Sequence, residues 1–180
     1  MKFGFVFETE WAVDEKFVST CETENVLEKV IGVESATMGK KAVEILAKDE
    51  IKTFDFCGAF LPEHLDALKE EYGKEYTFNL MKYLPEEEAK LEQAESLAHY
   101  GVIIKNGEIN SLQKEELVCP TCETTIYFVK DMEMAKEAAR ELIDAEIDFI
   151  ELCSFFDKEK LEEIIEEIDG KVPVGTAGQI

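Results

Sequence analysis

Ile51-Lys52-Thr53-Phe54-Asp55-Phe56-Cys57-Gly58-Ala59-Phe60 and, 96 positions further on, Ile147-Asp148-Phe149-Ile150-Glu151-Leu152-Cys153-Ser154-Phe155-Phe156 read as one segment written twice. In each, an isoleucine leads into a short apolar run that carries one acid and closes on a cysteine, and a phenylalanine follows three residues later. Laying Ala36–Leu80 over Met132–Thr176 without a gap makes 12 of the 45 pairs identical, among them Lys40 with Lys136, Leu46 with Leu142, Cys57 with Cys153 and Leu65 with Leu161. A repeat on this scale is a supersecondary unit copied in tandem. The openings pair as well, Phe3-Gly4-Phe5-Val6-Phe7 with Tyr100-Gly101-Val102-Ile103-Ile104, at a spacing of 97, so a one-residue insertion or deletion separates the two blocks.

Three segments follow from this alignment: a first copy over residues 1–83, a connection over 84–99 and a second copy over 100–180. The connection opens Leu84-Pro85-Glu86-Glu87-Glu88, with proline at a first helical position and acids against the positive end of the helix dipole. It lacks the Gly and Ser of a flexible linker, and Leu84, Leu91 and Leu97 suggest an apolar stripe, so it reads as a helix.

Inside each copy the hydrophobic period alternates. Phe3–Phe7, Thr53–Cys57, Tyr76–Leu80, Val102–Ile104, Thr125–Val129, Phe149–Cys153 and Val172–Val174 are short continuous apolar runs, the signature of strands buried on both faces. Met38, Ala42, Ile45 and Leu46 share a helical face, as do Met134, Ala138, Leu142 and Ile143; Leu161, Ile164, Ile165 and Ile168 mark a further helix. Strands alternating with helices require crossover connections and a mainly parallel sheet. The fold class is therefore α/β, a tandem duplication of a βα-rich unit with mainly parallel strands and pseudo-twofold symmetry. Two similar lobes are the preferred arrangement; a small closed (βα)8-like barrel is the alternative, for which 180 residues is short.

Composition narrows the partners. With 19 Lys and Arg against 41 Asp and Glu, the net charge of −22 repels phosphate backbones and anionic lipid, so neither nucleic acid nor membrane is expected. No apolar run approaches the length of a bilayer span, and the apolar opening is too short for a secretory signal. Five cysteines are an odd count at low density, which reads as reduced thiols in a cytoplasmic protein.

The second copy's Ile150-Glu151-Leu152-Cys153 strand end, its loop, and the closing Gly170-Lys171-Val172-Pro173-Val174-Gly175 resemble the family called domain of unknown function 6506. Members of that family look like a single copy of this unit, so the resemblance implies a shared fold and brings no activity. The first copy departs from the pattern, with Phe54-Asp55-Phe56-Cys57-Gly58 at the first motif and Tyr76-Thr77-Phe78-Asn79-Leu80 at the last.

In such folds ligands gather at the carboxyl ends of the strands, where loops converge and helix N-termini point inward. Cys57 and Cys153 fall there, each two residues after an acid, Asp55 or Glu151, on the same face of a period-two strand. A neighbouring carboxylate raises a thiol's pKa, so a polar ligand-binding wall suits these pairs better than an activated nucleophile. The alternative is small cysteines filling tight strand ends beside solvated acids. Glu8 ends the first strand where the second copy has Lys105, which would give the two ends different charge; His64 sits at a helix start after Cys57, with Lys160 as its counterpart. Gly175 opens a Gly-Thr-Ala-Gly tail whose backbone N–H groups would suit an anion.

Cys119-Pro120-Thr121-Cys122 has the spacing of a zinc knuckle or a dithiol redox pair, but precedes an apolar run instead of opening a helix, and no second Cys-x-x-Cys completes four ligands. Cys21, followed by Glu-Thr as Cys122 is, reads as its first-copy counterpart and a third sulfur for zinc or iron. No familiar catalytic motif is present, which leaves open whether the protein is an enzyme. The expectations are a small-molecule site near Cys57, Cys153, Asp55, Glu151, Glu8, His64 and Gly175, or a noncatalytic assembly module forming a homo-oligomer, or a thiol metal or redox site at Cys119 and Cys122.

Overall fold

The computed structural model describes residues 1–9 and 17–180. Two compact units divide the chain, Met1–Met81 and Lys82–Ile180.

The first unit opens with β1 (Lys2–Glu8), whose Phe5, Val6 and Phe7 are all fully buried, as expected of a strand covered on both faces. A hairpin follows, β2 (Val18–Glu22) and β3 (Leu27–Val33), closed by a bond from the Thr23 amide to the Val26 carbonyl. A 3-10 turn at Ala36–Met38 leads into α1 (Gly39–Ala47), then β4 (Thr53–Phe56), α2 (Pro62–Tyr72) and β5 (Thr77–Leu80). The sheet order is β2-β3-β1-β4-β5, parallel throughout except for β2, which runs antiparallel to β3.

The second unit begins with β6 (Lys82–Tyr83) and α3 (Pro85–Glu92) and then repeats the first element by element. β7 (His99–Lys105) matches β1, the hairpin β8 (Gln113–Val118) and β9 (Glu123–Val129) matches β2 and β3, and α4 (Met132–Asp144), β10 (Phe149–Leu152), α5 (Lys158–Glu167) and β11 (Val174–Thr176) complete it. Its sheet, read from the far edge, is β8-β9-β7-β10-β11-β6, the first unit's order with one antiparallel strand added beyond β11. Among the described residues there are thus two mainly parallel sheets and five α-helices, and the strands pair in two open orders. Among the described residues each copy carries two βα crossovers, half of what a (βα)8 barrel would need, because a hairpin strand comes before the second parallel strand.

The duplication reaches individual backbone angles. Glu50 and Glu146, 96 positions apart, are both left-handed, with φ of 62° and 57°, where the chain turns out of α1 or α4 toward the next strand. Gly73 and Asp169 repeat the device after α2 and α5, with φ of 59° and 53°. Gly4 and Gly101 serve matching contacts: a Cβ would stand 2.8 Å from a methyl of Leu46 in one unit and 3.0 Å from a methyl of Leu142 in the other. A side chain there would hold the helix off the sheet.

Of the 84–99 connection, α3 occupies Pro85–Glu92, and it does not pack through its leucines. Leu84 and Leu91 are half-buried and Leu97 is 50% exposed, while Glu87 is the buried residue of α3. One Glu87 oxygen accepts the Val174 amide at 3.0 Å and the other accepts Lys90 Nζ at 2.6 Å, which ties the helix to β11.

Candidate functional site

The two cysteines that close β4 and β10 have the same surroundings. Cys57 and Cys153 are buried, and each sulfur accepts a backbone N–H from the end of the neighbouring strand: Glu8 to Cys57 at 3.3 Å, Lys105 to Cys153 at 3.4 Å. Their own amides donate to Val6 and Ile103, and their carbonyls accept from Phe60 and Phe156. Such a thiol closes the ladder where two strands part.

The acids two residues earlier are buried as well, Asp55 completely and Glu151 to 1% exposure. A buried carboxylate needs donors. Asp55 receives the side-chain amide of Asn79 at 2.8 Å, from the residue opposite it on β5. Glu151 lies opposite Gly175 on β11, which has no side chain to offer. The donors come from elsewhere: Tyr83 of β6 at 2.6 Å to one oxygen, and Tyr100 of β7 to the other. Gly175 makes this possible, since a Cβ there would lie 2.6 Å from the Tyr83 ring. The copies therefore solve one problem with different residues, and each acid stands at a strand end beside its thiol but binds different partners.

The other expected residues are also held locally. Glu8 accepts the Ala36 amide at 2.7 Å, capping the 3-10 turn. His64 Nδ1 accepts the Leu61 amide at 3.0 Å at the start of α2, which places the proton of the neutral ring on Nε2. At the equivalent helix start, Asp157 caps α5 by accepting the Lys160 amide, and the Lys160 ammonium 2.6 Å away holds the Asp157 carboxyl below its usual range. The glycine tail is folded into the sheet end: the Ala177 amide donates to Leu152, Gly178 to Thr176 Oγ1, and Thr176 Oγ1 to the Phe156 carbonyl. These amides are not presented to an anion.

Cys21 and the Cys119–Cys122 pair do not correspond. Cys21 is a buried mid-strand residue of β2 opposite Glu28, the place Leu117 takes opposite Thr124 in the second unit. Cys119 and Cys122 instead match Thr23 and Val26, the corners of the first hairpin. Among the described residues no group of three or more His, Cys, Asp or Glu side chains is placed to hold a metal ion.

The charge difference read from Glu8 and Lys105 extends further than the sequence reading took it, which passed over Lys130 and Phe155. At the carboxyl ends of β7 and β9 and the first turn of α5 stand Lys105, Lys130 and Lys160, where the first copy has Glu8, Glu34 and His64. Phe155, 38% exposed, takes the place of Ala59. The ammonium groups of Lys105 and Lys160 lie 5.2 and 5.1 Å from its ring centre, within cation–π range. Gly107 leaves room for the first, since a Cβ there would be 2.8 Å from Lys105 Nζ. The signal was present in the aligned copies but needed the pairing of Glu34 with Lys130, beyond the end of the ungapped stretch. A separate groove of about 450 Å³ lies at the opposite, amino end of the first unit's strands, lined by Lys2, Thr23, Asn25, Val26, Lys48 and Glu50 among others. There Lys2 is already paired with Glu50 at 2.7 Å.

This arrangement, one sheet order built twice with a buried acid and a thiol at matching strand ends, defines a tandemly duplicated α/β protein. The chain belongs to the family of unknown function DUF6506, whose model matches residues 1–96 and again residues 98–179. No curated protein matches the chain significantly. Among the described residues no helix is long and apolar enough to cross a membrane.

Proposed function

We propose that the second unit binds a small anionic molecule at the carboxyl end of its sheet, against Lys105, Lys160 and the ring of Phe155, with Lys130 at the adjacent strand end. The observation that carries this reading is the exposed Phe155 ring with two ammonium groups within 5.2 Å of it. In a chain with 41 acids and 19 basic residues, cations gathered on one strand end run against the background charge. The first copy has glutamates at two of the three matching positions, so the feature is particular to the second.

The reading keeps the strand end expected from the sequence but moves the contact residues outward from Cys153 and Glu151, which serve internal bonds. An anion would compete with Asp157 for Lys160 and meet Lys105 without a carboxylate partner among the described ion pairs. A ligand with an apolar or planar part would also cover Phe155.

Titrating the labelled protein with inorganic phosphate, pyrophosphate and a dicarboxylate, followed by amide chemical shifts, tests the proposal. At least one probe is expected to move residues 105–107 and 154–160 in a saturable way, with the response lost in Lys105→Glu. Shifts that persist in Lys105→Glu, or that map elsewhere on the chain, overturn it.

A further inference from the structure

Of the two hairpin turns, the one between β8 and β9 is the one that carries cysteines. Its counterpart between β2 and β3 has the same closure, an amide-to-carbonyl bond across four residues, made by Thr23 and Val26 at 2.8 Å. Cys119 and Cys122 make that bond at 2.9 Å, so thiols are not needed to fold it. What they add is a sulfur environment. The Cys122 amide donates to Cys119 Sγ at 3.1 Å, and the Thr121 and Thr124 hydroxyls lie 3.6 and 3.7 Å from Cys119 and Cys122 sulfur respectively. A backbone donor aimed at sulfur, with a hydroxyl beside each thiol, is the kind of outer-shell contact that supports a metal-bound thiolate. A dithiol redox pair, by contrast, opens a helix; here a strand follows the turn.

We infer that the Cys119-Pro120-Thr121-Cys122 turn is half of a tetrahedral thiolate metal site, completed by the same turn of a second copy of this chain, with zinc the metal that suits four sulfurs. Three observations fix the count of two chains. The pair has no sulfur equivalent in the first copy, so one chain supplies one knuckle. Among the described residues no third ligand joins it. Structural zinc takes four ligands, and a twofold axis through the metal brings two identical pairs together with no other residue needed.

The location suits such an axis. β8 is the terminal strand of the second sheet, most of it exposed, so the turn sits at an open edge and not within the core. Val118, the residue before Cys119, is 63% exposed, an apolar side chain that a second copy would cover. This inference is independent of the anion site, which lies at the other end of β9.

Titration of the reduced, metal-free full chain with cobalt(II) and with zinc(II), together with solution mass measurement, decides the matter. The expected results are the visible absorption of tetrahedral thiolate cobalt saturating at one metal per two chains, displacement of that colour by zinc, and a doubling of solution mass that a chelator reverses. Cys122→Ser is expected to lose both signals, whereas Cys153→Ala retains both. Saturation at one metal per chain without a change in mass overturns the inference, as does the absence of a cobalt spectrum in the wild-type protein. Those two readings need no variant to fold.

Discussion

Replacing Tyr83 by Phe removes one donor from a buried carboxylate and leaves the ring that fills the space over Gly175. A hydrogen bond to a charged group is worth roughly 1.5–3 kcal/mol, and more of that is lost where water cannot replace the donor. Tyr83 is half-buried, so water can reach the vacated position and the loss should lie near the low end, about 1.5 kcal/mol. Tyr100 is 3% exposed and serves the other oxygen of Glu151, so Tyr100→Phe should cost about 3 kcal/mol. The double variant should cost less than the sum, because the two hydroxyls serve one carboxyl group and their contributions are coupled. Two compact units need not unfold together, so a single melting curve is a poor assay. Native-state hydrogen exchange reads the effect where it arises: the amides of Ile150, Leu152 and Val174 should open about tenfold more often in Tyr83→Phe. Amides of Phe54 and Phe56 should be unchanged, and Asn79→Ala should give the converse pattern. A Tyr83→Phe effect under about 0.5 kcal/mol, or one spread equally over both units, would refute the view that Glu151 is held as a donor-dependent carboxylate.

Gly101→Ala places a methyl group 3.0 and 3.1 Å from the two Leu142 methyls and should cost about 1–3 kcal/mol by overpacking, with Gly4→Ala behaving alike in the first unit; native-state hydrogen exchange of each unit measures both. Glu87→Ala should cost about 1–3 kcal/mol by leaving the Val174 amide without its acceptor, whereas Glu87→Gln, which keeps a carbonyl oxygen, should recover most of that on the same assay. Burial first, then the bond to Glu141, holds the Tyr127 phenol well above its ordinary value. Since the unfolded chain would ionise that phenol near pH 10 and the folded chain would not, stability should fall as pH rises past about 10. Ultraviolet titration should show Tyr127 ionising after the exposed tyrosines, and its titration alongside them would contradict the burial.

Most parallel strands were legible because double burial writes them as continuous apolar runs, with Phe5, Val6 and Phe7 the clearest case, but β3 was missed because Glu28 and Lys29 interrupt its run. β8 was not legible either, since Gln113-Lys114-Glu115-Glu116-Leu117-Val118 is an exposed edge held by its ladder with β9 and carries no alternation. β6 is two residues long, below what any period can reveal. The helix stripes were read correctly in kind, but the inward faces include Val43, Ala135 and Ala139, small or branched residues where close packing to the sheet leaves little room. At the candidate site the acids and thiols were placed at the right strand ends. Their partners could not be read, because Asn79, Tyr83 and Tyr100 reach them only through sheet register. Aligning Cys21 with Cys122 on the shared Glu-Thr failed for the same reason: a dipeptide says nothing about which residue faces which across a hairpin.

The family match and the compact units disagree about one segment, and chain geometry explains why. The first match runs to residue 96 and so includes β6 and α3, yet both belong to the second unit. Only Met81 separates β5 from β6, and one residue cannot reverse a chain, the shortest common hairpin loop being two residues long. β6 therefore cannot fold back on its own β5. It pairs antiparallel with β11, the equivalent strand of the second copy, where Tyr83 reaches Glu151 and Glu87 takes the Val174 amide. The first copy thus supplies the second with an edge strand, a helix and a donor for its buried acid. Gly175 in place of Asn79 fits the same logic, since the strand that faces Tyr83 needs no donor at that position and must leave space for the ring. The divergence of the two halves at this strand end follows from the tandem arrangement, in which one half receives the tail of the other.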